Sequence, residues 1–139
     1  MKELKAYEHK VQYYETDQMG IVHHSNYIRW FEEARTDFME QAGLPYEGLE
    51  ETGIASAIVD VNAKYHSMVR FGDTVAIITK LFQYTGAAMR FRYEVRDKMS
   101  GELRCTGETR QCFVKDNKLV SLKRSSPEYD NFLNDLIFI

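Results

Sequence analysis

The sequence predicts an α+β fold in which one antiparallel sheet wraps around one dominant helix. Three observations lead there. From Asn26 to Ala42 the residues Tyr27, Trp30, Phe31, Ala34, Phe38 and Ala42 recur at helical spacing, the strongest helix signal in the chain. Four later segments carry β-branched or alternating patterns and are joined by connections too short for parallel crossovers. The 139 residues contain no repeat, no low-complexity run and no Gly/Ser linker, with prolines only at 45 and 127, which predicts one domain over residues 1–139.

Each element follows from its own pattern. From Lys5 to Tyr14, Tyr7, His9, Val11 and Tyr13 alternate with Glu8, Lys10, Gln12 and Tyr14, the period of a half-buried strand. A polar connection containing Gly20 leads to the helix, which Ser25 or Asn26 can cap and which Gly43 and then Pro45 end. Ile28 and Met39 widen its apolar stripe, so the sheet is expected to grip it on more than one side. The strands that follow are Ile54 to Tyr65, Thr74 to Phe82, Ala88 to Asp97 and Glu102 to Val114. In the third of these, Met89, Phe91, Tyr93 and Val95 alternate with Arg90, Arg92, Glu94 and Arg96, which places the arginines on the wetter face. Ser126-Pro127-Glu128 opens a short terminal helix carrying Phe132, Leu133, Leu136 and Ile137. A sheet of this size has edges, and edges invite pairing with a second subunit, so an oligomer is expected.

Composition narrows the function. A net charge of −3 argues against nucleic-acid binding, which needs a basic excess to neutralise phosphates. The longest apolar stretches fall far short of the ~20 residues that span a bilayer. The N-terminal Met1-Lys2-Glu3-Leu4-Lys5 lacks the apolar core of a signal peptide, so a cytoplasmic location is expected. Cys105 and Cys112 stand seven apart in one strand, an odd spacing that sends them to opposite faces as two reduced thiols.

The chemistry concentrates between the first strand and the helix. Tyr14-Glu15-Thr16-Asp17-Gln18-Met19-Gly20-Ile21-Val22-His23-His24-Ser25-Asn26-Tyr27 holds carboxylates, two imidazoles and a helix N-terminus within a dozen residues. Gly20 allows a turn that brings Asp17 near the helix end. The helix N-terminus presents backbone N–H groups and partial positive charge, which suit a carbonyl developing into an oxyanion, and a carboxylate beside it can attack that carbonyl or deprotonate water. The same residue types also serve capping alone. As neighbours in an extended segment, His23 and His24 face opposite ways, so only one is expected in a pocket. Glu15, Asp17, His23 and His24 are metal-ligating types without a metal-site spacing, so no metal is expected. Serine-hydrolase, P-loop and dinucleotide motifs do not occur. His9 and His66, on strands or their ends, read as packing or surface residues.

These residues resemble a known signature. Tyr14, Asp17, Gly20-Ile21-Val22, His24, Asn26-Tyr27 and Trp30-Phe31-Glu32-Glu33-Ala34-Arg35, followed by Tyr65 and Val69-Arg70-Phe71-Gly72-Asp73, are similar to the 4-hydroxybenzoyl-CoA thioesterase and YbgC-like acyl-CoA thioesterase family of hotdog proteins. The resemblance implies a five-stranded antiparallel sheet around a long central helix, with dimers that join sheets edge to edge and often form tetramers. It implies hydrolysis of an acyl-CoA thioester with no cofactor. By position, Asp17 is the catalytic carboxylate, as nucleophile or general base, and His24 orients substrate or water. Tyr14, Gly20, Val22, His23, Ser25 and Asn26 would line the substrate site, and the N–H groups of residues 24–26 would polarise the carbonyl. Arg70 and Arg90, with Lys123 and Arg124, are candidates for phosphate contact. His23 stands where such proteins usually carry Tyr, and Met68 where Pro is common. An acyl carrier protein could present the same phosphopantetheine arm. A dehydratase or hydratase on the same fold, and a non-catalytic acyl-CoA-binding module, are the competing readings.

Overall fold

A computed structural model describes residues 4–43 and 52–139. In chain order the strands are β1 (Tyr7–Lys10), β2 (Ala55–Tyr65), β3 (Thr74–Tyr84), β4 (Ala88–Asp97), β5 (Leu103–Lys115) and β6 (Lys118–Val120). The helices are α1 (Ser25–Gln41), α2 (Leu122–Ser125) and α3 (Pro127–Leu136), and a single 3-10 turn, Tyr13–Glu15, follows β1. Five strands pair antiparallel in the order β1-β3-β4-β5-β2, and α1 lies across their inner face. The sixth, β6, turns back on β5 and pairs Phe113 with Val120.

The long helix sits low on the sheet because β5 has a glycine beneath it. A Cβ at Gly107 would lie 2.5 Å from the Phe31 ring and 2.7 Å from the Asn62 carbonyl oxygen. With that space open, Phe31 stacks on Tyr93 at 4.5 Å between centroids, and Trp30, Phe31, Phe91, Tyr93 and Phe113 are all fully buried. A polar tie crosses the same interface: the Arg35 guanidinium donates to the Tyr93 hydroxyl at 3.0 Å, which pairs with Thr109 Oγ1 at 2.6 Å.

The arginines of β4 alternate with buried Met89, Phe91, Tyr93 and Val95, as the pattern requires. Arg90 and Arg92 flank Glu108 at 3.4 and 3.3 Å on the outer face. Cys105 is buried and Cys112 half-buried on the opposite face of β5.

Several local expectations are corrected. The first strand is four residues, not ten, because the chain leaves the sheet at Val11, whose N–H bonds Asp73 O, and coils into the 3-10 turn. Tyr13 and Tyr14 consequently point into solvent. Neither Ser25 nor Asn26 caps α1 through its side chain; both lie inside the helix, and His24 occupies the cap position with helical backbone angles. Ile28 is exposed and does not widen the apolar stripe, whereas Met39 is buried. At the other end Gly43 takes φ +96°, the left-handed stop expected of it, while Pro45 lies outside the described residues. The short β6 escapes a pattern search. Its hairpin rests on Asp116 and Asn117, both with positive φ, a turn that supports a strand of only three residues. Among the described residues no helix is long and apolar enough to cross a membrane.

Candidate active site

The loop from Glu15 to His23 is a small closed hairpin. Thr16 bridges Val22, Asp17 N–H donates to Ile21 O at 2.8 Å, and Gly20 N–H returns to Asp17 O at 3.0 Å. Gly20 has φ +76°, so the turn needs a residue without a Cβ penalty. Asp17 stands at this tip, exposed, with Oδ1 accepting the Met19 N–H at 2.8 Å. The hairpin is strapped to the segment after β2 by the Ile21–Arg70 bridge and by Val22 N–H on Val69 O at 2.8 Å.

The start of α1 faces this hairpin. His23 N–H donates to Glu15 O at 2.9 Å, and the buried Asn26 amide donates to the same oxygen at 2.9 Å. Ser25 N–H donates to His23 Nδ1 at 3.2 Å. Asn26 N–H is taken by His23 O at 3.0 Å. Of the three N–H groups at residues 24–26, therefore, two are already committed locally. No bond from the His24 N–H occurs among the described residues.

A cavity of about 380 Å³ lies between these parts. Asp17, Ile21 and Val22 form one wall, His23, His24 and Tyr27 the second, and residues 65–68 the third. Tyr65 closes the gap between walls by donating its hydroxyl to His24 O at 3.1 Å and meeting Tyr27 edge to face at 5.0 Å. Burial pushes both tyrosine hydroxyls above their usual pKa, so they stay neutral hydrogen-bonding groups.

Asp17, Val22, His23 and His24 thus share one cavity. That corrects the expectation that the two histidines face opposite ways. At the helix start their rings stack at 4.1 Å, because His24 is in the α conformation and the extended-strand geometry does not apply. His66 is likewise no mere surface residue: it lines the cavity, with Nε2 on Thr106 Oγ1 at 3.0 Å.

Other predicted site residues stand elsewhere. Tyr14 is 78% exposed and outside the cavity lining. Gly20 forms the turn, Ser25 pairs its hydroxyl with His23, and Asn26 holds the Glu15 carbonyl. Arg70 enters through its backbone alone, bonded to Asp73 and bridging Ile21. Arg90 is spent on Glu108 and on the Phe82 ring at the outer face. Lys123 and Arg124 lie exposed on α2. Among the described residues no group of three or more His, Cys, Asp and Glu side chains converges as a metal site.

Sequence reasoning missed Tyr65 to Met68 as a pocket wall and missed the role of Glu15. This carboxylate is buried and accepts three bonds, from Gln12 N–H at 2.8 Å, His9 Nε2 at 2.8 Å and Trp30 Nε1 at 2.7 Å. Burial alone would raise its pKa, yet those three donors outweigh it and hold the carboxyl below its ordinary value. The available signal was the three-residue spacing from Gln12 to Glu15, the spacing of a capping box.

Residues 11–133 match the model of the thioesterase-like superfamily. The chain belongs to that superfamily. Among thioesterase-like relatives, YneP of Bacillus subtilis, named as a candidate acyl-CoA thioesterase, is 32% identical over 124 residues, covering 88% of this chain and 89% of YneP. The chloroplastic acyl-acyl carrier protein thioesterase ATL3 of Arabidopsis thaliana is 30% identical over 91 residues, 66% of this chain and 48% of that protein. The solved DHNA-CoA thioesterase of Staphylococcus aureus superposes with a TM-score of 0.89 at 31% identity, covering 94% of this chain and 89% of that one. The thioesterase-like chain therefore has the hotdog fold, with its five-stranded curled sheet and central helix.

Proposed function

We propose that the protein hydrolyses acyl-CoA thioesters to a free acid and CoA, with Asp17 as the reacting carboxylate. The observation that carries this reading is that Asp17 and the first turn of α1 open into the same cavity. A thioester carbonyl seated at the start of α1 meets the His24 N–H and the positive end of a 17-residue helix, both suited to the oxyanion of the tetrahedral intermediate. Asp17 then adds to the carbonyl carbon or takes a proton from a water that does so. Collapse of the intermediate breaks the C–S bond. Where Asp17 has activated water, the departing thiolate takes up the proton that Asp17 holds and the acid is released. Where Asp17 has itself added, water then hydrolyses the resulting Asp17 acyl anhydride to the free acid and the carboxylate, one of its protons going to the thiolate. His24 and His23, stacked on the opposite wall, orient the acyl group or the water. Val22 packs against the acyl group.

No metal or organic cofactor enters this chemistry. The acyl carrier protein reading is supported by the Arabidopsis relative, and the DHNA-CoA thioesterase of Staphylococcus aureus adds DHNA-CoA to the substrates worth testing. A homodimer formed along β2 is part of the proposal, since that edge strand exposes Ile58 and Val59.

Thiol release from a panel of aliphatic and aromatic acyl-CoAs, DHNA-CoA and an acyl carrier protein thioester tests it, run with and without a chelator. Hydrolysis that resists chelation and falls about a hundredfold or more in Asp17→Asn is the expected result. Retained activity in the mutant overturns the role of Asp17. A folded wild type that releases no thiol from any member overturns the thioesterase reading in favour of a dehydratase or a binding module.

A further inference from the structure

We infer that Glu15, partnered by His9, is the positioning residue that holds Asp17 opposite the start of α1. The inference rests on the reading of Asp17 given above. Glu15 lies two residues upstream of Asp17, and three separate elements meet on it. Its carboxylate is bonded from β1 by His9, from α1 by Trp30 and from its own turn by Gln12 N–H. Its carbonyl oxygen is held by His23 N–H and the Asn26 amide, both at the start of α1. The hairpin that carries Asp17 therefore leaves and re-enters the protein at groups fastened to Glu15.

A carboxylate is an expensive choice for a purely packing role. Desolvating a charge is costly unless it is paired, and an apolar side chain in the same volume is often as stable or more so. What the carboxylate supplies, and an apolar side chain does not, is simultaneous acceptance of three donors in fixed directions. His9 is in turn fixed by packing at 5.0 Å against the Trp30 ring and by Glu33, whose Oε2 lies 3.7 Å from His9 Nδ1 and accepts the Tyr7 hydroxyl at 3.1 Å. None of these groups lines the cavity, so the network acts through the backbone of the hairpin and not through contact with substrate.

Glu15→Gln offers an amide nitrogen where one of three donors must be met. His9→Leu removes one donor, and His9→Gln restores a donor near the position of Nε2. Expected in Glu15→Gln and His9→Leu is a fall in kcat of about tenfold to a hundredfold with KM little changed, because the cavity walls persist while the attacking group is displaced. His9→Gln should recover most of the loss. The backbone amide signals of Met19 and His23, read by nuclear magnetic resonance, should move in the impaired variants while those of β4 stay in place.

Wild-type kcat in folded Glu15→Gln and His9→Leu overturns the inference, as does a loss shared equally by kcat and KM or one that tracks unfolding at the assay temperature. If Glu15→Gln does not fold, the His9→Leu and His9→Gln pair decides. If the wild type hydrolyses nothing, the thioesterase reading has failed. The amide shifts then judge the positioning by themselves, movement supporting it and none overturning it.

Discussion

The carboxylates Asp17 and Glu15 are two residues apart and have opposite environments. Asp17 is exposed at a hairpin tip with one oxygen on a backbone N–H, whereas Glu15 is buried under three donors. Because the folded pKa of Glu15 lies below its ordinary value of 4.5, the stability it contributes is complete above that value and is lost as pH falls through the folded one. Urea midpoints followed from about pH 6 to pH 3 should show an acid limb that flattens in Glu15→Gln. At the same scale, His24→Ala should lower kcat less than Asp17→Asn, since its side chain shapes the cavity wall while its backbone N–H survives the substitution. An unchanged rate would assign His24 to the helix start alone.

At the level of elements, the close approach of α1 to β5 sets how deeply the helix packs on the sheet. The Gly107 position sets that distance, with Phe31 and the Asn62 carbonyl both closer than a Cβ allows. Gly107→Ala should therefore destabilise by about 1–3 kcal/mol through overpacking, beyond the few tenths gained from a less flexible unfolded chain. Thermal melting checks this, and an unchanged or raised Tm would show that α1 moves away without cost. The elements with long, regular patterns were legible from sequence: α1 within one residue, β4 at both ends and β2, β3 and β5 within one or two. Those missed were short. In β1 the alternation of Tyr7 to Tyr14 continues past the strand, because periodicity does not register that Val11 has left β3 for Asp73 and the 3-10 turn has begun.

For the whole molecule, the open edge is the telling feature. The eleven-residue β2 ends one side of the sheet and exposes Ile58 and Val59, with a bulge between Ile58 and Asp60. Sedimentation should show a dimer, and Val59→Lys should shift it toward monomer; a wild-type monomer at micromolar concentration would exclude the edge as an interface. The same substitution should lower activity if the neighbouring copy completes the cavity, whose third wall follows directly from β2.

The sequence by itself determined the α+β class, the position of the long helix, the inward and outward faces of β4 and β5, and the loop in which the chemistry gathers. Each is a property of near neighbours in the chain, where spacing of three to four or of two residues dictates which side chains share a face. Only the tertiary structure decided the company those residues keep. It brought Tyr65 and His66 across to the helix start, stacked His23 on His24, turned Tyr14 outward, and buried Glu15 beneath His9 and Trp30. Such contacts join residues up to 41 positions apart, and their energies depend on burial and hydrogen-bond direction, which exist only once the sheet has closed over the helix.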